Sequence, residues 1–477
     1  VAVQQTGTTD GAWATASARE LAGALRRREV SSRELLELYL DRIDRLDGPI
    51  GSVVTLDAEG ARRRCAEADE ALVRGRPPGP LHGLPVTVKD AIATGGLRST
   101  GGATELRDHV PAEDAPAVAR LRAAGAVVFG KTNLPRWSGD LQTYNEMFGT
   151  TSNPWDTART AGGSSGGPAA AVACGFTAFE LGTDIGGSVR VPSHFCGTFG
   201  LKPSFGVVPQ RGYLDHVGAG TTDADINVFG PIARSAADLE LLLDVLAGPE
   251  PERAGAWRLT LPPPACEAVE GARVAVWFDD PALPVDSEYR AVLGRLADRL
   301  SDAGAGVEEA RPPVDARGQV DLFFSMLTAA LSPSAPDDQA DAVGGSHRRW
   351  LAREERRAAL RAQWAEWFTG WDVLLCPVTP TAAFPHDQGG GVLDRTMTVD
   401  GEARPYVENL VWTGLIGIMG LPSAVPPIGR TASGLPVGVQ VVAPYLRDRT
   451  AVRLAGVVAD EADVPGGYEP PPGFGAG

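Results

Sequence analysis

Two serines set in glycine carry the chemistry of this chain. Ser164 lies in the run Gly162-Gly163-Ser164-Ser165-Gly166-Gly167, and Ser188 closes the run Gly182-Thr183-Asp184-Ile185-Gly186-Gly187-Ser188. Glycine opens backbone conformations that a Cβ forbids and lets a substrate come close to main-chain N–H groups. Acyl transfer needs an exposed hydroxyl as nucleophile and donors aimed at an oxyanion. Glycine context alone allows either serine to be the nucleophile and the other its proton relay.

The lysines suggest a base. Only Lys89, Lys131 and Lys202 occur, and the other 41 of the 44 basic residues are arginine. A chain that uses arginine wherever a surface cation suffices keeps lysine where the guanidinium fails. A buried lysine can lose its proton, whereas arginine effectively cannot. Lys89 ends the short apolar run Val86-Thr87-Val88, at a strand end of the kind that carries functional groups in α/β sheets. It reads as the base, and Lys131 and Lys202 read as structural cations. Asp90 would raise the pKa of its neighbour if the two side chains met, but on an extended strand they point to opposite faces.

Longer stretches surround these residues in a fixed order. Gly83-Leu84-Pro85-Val86-Thr87-Val88-Lys89-Asp90 comes first, then Phe148-Gly149 and Asn153-Pro154-Trp155, then 161–167 and 182–190, then Cys196-Gly197 and Gly200-Leu201-Lys202-Pro203. Gly434-Leu435-Pro436-Val437-Gly438-Val439-Gln440 follows near the end. On these motifs the chain resembles the amidase signature family, from about residue 17 to residue 460. The resemblance implies Ser188 as nucleophile, Ser164 as a relay held by a cis peptide bond, and Lys89 as base. It implies an oxyanion hole from the N–H groups of Ile185, Gly186, Gly187 and Ser188, supported by Thr183, Asp184 and Arg190. Trp137, Ser138, Gly139, Asp140, Leu141, Gln142 and Thr143 stand at the family's pocket-lining position. The implied activity is hydrolysis of an amide C–N bond in a small molecule or oligoamide through an acyl-enzyme, without metal or cofactor. Pro168 departs from the family pattern, but proline is tolerated early in a helix.

Capping boxes mark helix starts at Ser17 with Glu20 and at Ser31 with Glu34. Helical stretches near 114–124, 235–246 and 286–303 alternate with apolar runs at 126–129, 273–277 and 372–376. That alternation predicts an α/β fold: one large domain over 1–477, with a mixed, largely parallel twisted sheet covered by helices on both faces. The motif-poor stretch 250–350 reads as a peripheral insertion, and the residues from Pro465 as a Pro/Gly-rich tail. Between Glu408 and Arg430 there is no charge, yet Gly414, Gly417, Gly420, Pro422, Pro426 and Pro427 break it too often for a membrane span. A buried helix and then a strand at 423–428 are expected there. Trp364, Trp367 and Trp371, spaced as on a helix, read as core.

A formal charge of -16 argues against nucleic acid and anionic membranes as partners, because both demand a basic face. Cys65, Cys174, Cys196, Cys266 and Cys376 show no metal-binding spacing and read as reduced and mostly buried, and the opening residues carry no signal-peptide pattern. A cytoplasmic enzyme is expected, and symmetry base rates favour a homodimer. Two other readings stay open. Gly162-Gly163-Ser164-Ser165-Gly166 also fits a G-x-S-x-G nucleophile elbow, with His216, His347 or His386 as base. The resembled family also includes the ammonia-releasing subunit of the tRNA-dependent glutamine amidotransferases, which uses the same three residues within a complex.

Overall fold

Glu180–Asp184, Phe199–Lys202, Val228–Ala233 and Val373–Cys376 are strands buried along their whole length. Successive strand residues point to opposite faces, so burial of all of them requires cover on both sides of the sheet. These strands form the centre of the computed structural model, which describes residues 10–475 apart from 336 and 465. Residues 1–9 of the expected domain, and Pro465, Ala476 and Gly477 of the expected tail, lie outside the described residues.

The main sheet has eight strands. From edge to edge they are Gly306–Glu309, Arg273–Val276, Val373–Cys376, Gln440–Val442, Ser423–Val425, Phe199–Lys202, Val228–Ala233 and Glu180–Asp184. The expected mixed sheet is present, but parallel pairing is confined to one end. Arg273–Val276 runs parallel to both its neighbours, while the remaining pairings are antiparallel. The connections explain the difference. Arg273–Val276 and Gly306–Glu309 are joined through the helix Ser287–Asp302, the crossover that parallel strands need. Phe199–Lys202 reaches Val228–Ala233 with no helix between them, and Ser423–Val425 reaches Gln440–Val442 through the hairpin of Pro427–Arg430 and Pro436–Gly438. The stretch 250–350 supplies two adjacent strands at one end of this sheet, Gly306–Glu309 at the edge and Arg273–Val276 next to it.

A second sheet of three strands places Pro85–Lys89 beside Val127–Thr132, in parallel, with the helix Pro116–Ala123 as crossover. Pro85–Lys89 also packs against Glu180–Asp184 of the main sheet. The strand ends bearing Lys89 and Thr183 therefore face each other.

Local signals hold where they were strongest. Both capping boxes form, opening the helices Ala18–Arg27 and Ser32–Leu46, and Ser235 caps Ala236–Leu246. The uncharged stretch folds as the helix Val411–Gly417 followed by Ser423–Val425 and Pro427–Arg430, two strands separated at Pro426. Trp364 is buried on the helix His347–Trp367 and its indole N–H donates to Gln319, whereas Trp371 lies beyond the helix end. The five cysteines are free thiols, and no helix among the described residues is long and apolar enough to cross a membrane.

Candidate active site

Lys89 ends its strand fully buried, with Nζ 2.7 Å from Ser164 Oγ and 2.7 Å from Thr183 Oγ1. Burial pushes its pKa well below the ordinary lysine value, against the opposing pull of the Asp184 and Glu180 carboxylates. Asp90 turns away, accepting hydrogen bonds from the N–H and the hydroxyl of Thr100. The adjoining carboxylate therefore does not hold the lysine charged.

Ser164 sits in the turn before the helix Gly166–Ala173, and the Gly163–Ser164 peptide bond is cis. Glycine at 163 is required by contact: a Cβ there would lie 2.6 Å from Asp140 O and from the Leu141 carbonyl carbon. Thr143 fastens the turn at both ends. Its hydroxyl donates to Gly162 O (2.9 Å) and accepts from Gly166 N–H (3.0 Å). Ser165 N–H donates to Ser188 O at 3.1 Å, which ties the two glycine runs together.

The second run leaves the strand Glu180–Asp184 and turns at Gly187, whose φ of +126° disfavours any side chain. Asp184 organises this turn. Its carboxylate accepts from the N–H groups of Gly187 (2.8 Å), Val189 (3.2 Å) and Arg190 (3.3 Å), and takes a two-point contact from the Arg190 guanidinium at 2.9 and 2.8 Å. Burial alone would raise the Asp184 pKa, but the adjacent Arg190 outweighs it and holds the carboxyl at about 2. Gly187 N–H is thus already engaged with Asp184, which sets it apart from the other three N–H groups of the expected oxyanion set. The N–H groups of Ile185, Gly186 and Ser188 have no acceptor among the described residues. Arg190 extends the frame to Thr413 O and Gln440 Oε1, and the Thr413 hydroxyl donates to Gly186 O.

Ser188 opens into a cavity of about 60 Å³, and its hydroxyl has no hydrogen-bond partner among the described residues. Ile185, Gly186, Ser138, Gly139, Asp140 and Leu141 share that lining. Trp137, Gln142 and Thr143, expected there too, lie outside it. Trp137 is buried under Gly101, Gln142 exchanges hydrogen bonds with the Asp387 backbone, and Thr143 holds the Ser164 turn. The opposite wall, Leu327, Leu331, Val392, Tyr406, Val407 and Leu410, comes from parts of the chain that carried no motif. Of these, only Leu410 lies in the uncharged stretch after Glu408 that the sequence marks.

The other lysines are structural. Lys131 Nζ donates to Ile92 O, Thr94 and Ser99, and Lys202 Nζ donates to Leu421 O and Pro203 O. None of the histidines hydrogen-bonds to Ser164 or Ser188: His194 is held by Gly438 and Thr381, and His216 pairs with Asp215. Among the described residues no cluster of His, Cys, Asp or Glu could hold a metal ion.

The sequence pattern of the Amidase family matches residues 34–341 and 338–452. The chain belongs to the amidase family. Among its relatives, a glutamyl-tRNA(Gln) amidotransferase subunit of Thermosynechococcus vestitus is 30% identical, over 92% of this chain and 96% of the relative. A bacterial aryl acylamidase of the amidase signature enzymes is similar in structure, with a TM-score of 0.80 and 27% identity over 94% of this amidase and 96% of that chain. A chain from an inhibitor-bound vestigial protein complex, connected with the origins of an s-triazine catabolic enzyme, has a TM-score of 0.82 and 28% identity, covering 95% of this chain and 100% of that one. The protein is an amidase-signature hydrolase, and its α/β architecture is that of the family.

Proposed function

We propose that this amidase hydrolyses the C–N bond of a small-molecule amide through an acyl-enzyme on Ser188, with Ser164 carrying protons between Ser188 and Lys89. The observation that supports this most is the buried Lys89 amine, depressed in pKa and 2.7 Å from Ser164 Oγ. A neutral amine there accepts the Ser164 proton as Ser164 takes the proton of Ser188, and Ser188 Oγ bonds to the amide carbon. The N–H groups of Ile185, Gly186 and Ser188 stabilise the resulting oxyanion, each donor worth about 3 kcal/mol. The relay then runs backwards: Lys89 returns its proton through Ser164 to the departing nitrogen, and the C–N bond breaks. Water attacks the ester and gives up a proton along the same path; the acid leaves and Ser188 regains its hydrogen. The supporting role falls to Thr183, on Lys89, and to Asp184 and Arg190, on the oxyanion turn.

The remaining expectations are kept with this reading: a small-molecule amide substrate, no nucleic-acid or membrane partner, a cytoplasmic setting and a homodimer. The competing reading, the ammonia-releasing member of an amidotransferase complex, is favoured by the curated relatives at 30% identity. The two separate in one assay. The isolated chain should release ammonia or amine from simple amides with Ser188→Ala inactive. Glutaminase activity that appears only after partner subunits are added would replace the stand-alone reading.

A further inference from the structure

The cavity beside Ser188 is walled by aliphatic side chains: Leu141, Ile185, Leu327, Leu331, Val407 and Leu410. Its lining holds one charged side chain, Asp140. That carboxylate is fully spoken for. Arg395 Nη1 donates to it at 2.6 Å, Tyr406 OH at 2.7 Å and Tyr144 OH at 3.0 Å. The pair is out of solvent, Asp140 at 5% and Arg395 at 3% exposure of their side chains. The guanidinium also lies against the rings of Tyr144 and Tyr406, 5.7 and 5.6 Å from their centroids.

Arg395 reaches Asp140 from a part of the chain 255 residues away. It closes a loop through residues 387–395, donating to Gly389 O (2.9 Å) and Gly390 O (3.3 Å), and the same loop puts Val392 against the cavity. The arrangement cancels the only charge on the wall and leaves the group on the carbonyl carbon among apolar neighbours. An ammonium or carboxylate there would lose its water and find no free counter-charge, a cost that grows with burial.

We propose that the acyl site takes uncharged groups, aliphatic or aryl, and that Arg395 is a positioning residue that enforces this by neutralising Asp140. The proposal rests on the Ser188 reading above. Free glutamine, which carries an ammonium and a carboxylate on its acyl part, is then a poor substrate. Removing Arg395 turns Asp140 into an unpaired anion in the cavity, a partner for a cationic acyl group.

The test compares primary amides of similar size: 3-methylbutanamide, 3-aminopropanamide, succinamate and glutamine. Ammonia release should favour the neutral amide by roughly 100-fold or more in kcat/KM. In Arg395→Met the neutral-to-cationic preference should fall by about tenfold or more, chiefly through KM; Arg395→Lys should keep the original order, and adding Asp140→Asn to Arg395→Met should restore it. Equal turnover of neutral and charged amides by the native enzyme, or an Arg395→Met variant that slows all of them by one factor, would overturn the proposal. Dissociation constants of the same amides with Ser188→Ala, by ligand-observed NMR, read the preference without turnover. A neutral preference in binding, with no acyl adduct at Ser188 in the native enzyme, upholds the selectivity and counts against the reaction assigned to Ser188.

Discussion

Lys89 Nζ stands 2.7 Å from Ser164 Oγ, with none of the lysine reaching solvent. An ammonium ion in that position would be desolvated and could not accept a proton. A neutral amine can do so, and burial favours the neutral form.

The pH dependence follows with a definite sign. With Lys89 as the proposed base, only its unprotonated form is active, so kcat/KM should climb as pH rises through the lysine's depressed pKa and then level off, with the midpoint below the ordinary 10.5. Rates of p-nitroanilide or amide hydrolysis from pH 5 to 10 check this. A midpoint at the ordinary lysine value would remove Lys89 from the role of base.

Charge without basicity should not suffice. Lys89→Arg keeps a cation but loses the ability to deprotonate, so it should be as impaired as Lys89→Ala, by about 10²- to 10⁴-fold in kcat. Circular dichroism separates this from misfolding. An active Lys89→Arg enzyme would show that the cation acts only as a structural charge.

Asp184 and Arg190 are both fully buried, so removal of one strands the other. Asp184→Asn or Arg190→Met should cost about 3–5 kcal/mol in denaturant unfolding, and the double variant less than the sum. Because the folded pKa of Asp184, about 2, lies below its unfolded value of 3.8, this contribution is complete above pH 4 and lost as pH falls through 2. Unfolding curves between pH 2 and 5 should show less acid sensitivity in Asp184→Asn than in the native chain.

Gly163→Ala tests the contact that seats Ser164. The new Cβ would meet backbone at 2.6 Å, so either Ser164 or the 140–141 segment must move. A displacement near 1 Å should lower kcat by about 10²-fold. Gly255→Ala, where nothing lies within 4 Å, is the control and should leave activity unchanged.

The grouping of Lys89, Ser164 and the 182–188 run was legible because each signal is local: glycine where backbone approaches backbone, and a scarce lysine at a strand end. The far wall of the cavity was not, since Leu327, Val392 and Leu410 meet Ser188 only through tertiary packing and look like any other aliphatic residues in sequence. Thr143 and Gly187 lie in the expected stretches, yet their hydrogen bonds to the Ser164 turn and to Asp184 depend on backbone geometry that residue type does not encode. Strand direction was legible only in part, for a related reason. The helical alternation that predicts parallel pairing is real around Ser287–Asp302, but residues 203–227 return the chain without a helix and reverse the next strand.

The central claim is that Ser188 carries the acyl group. Rapid quenching of the enzyme with a slowly deacylating amide or carbamate, followed by peptide mass spectrometry, should place the added acyl mass on the peptide containing Ser188 and find none in Ser188→Ala. An adduct on Ser164, or one that persists in Ser188→Ala, would contradict the account and return the chain to the nucleophile-elbow reading.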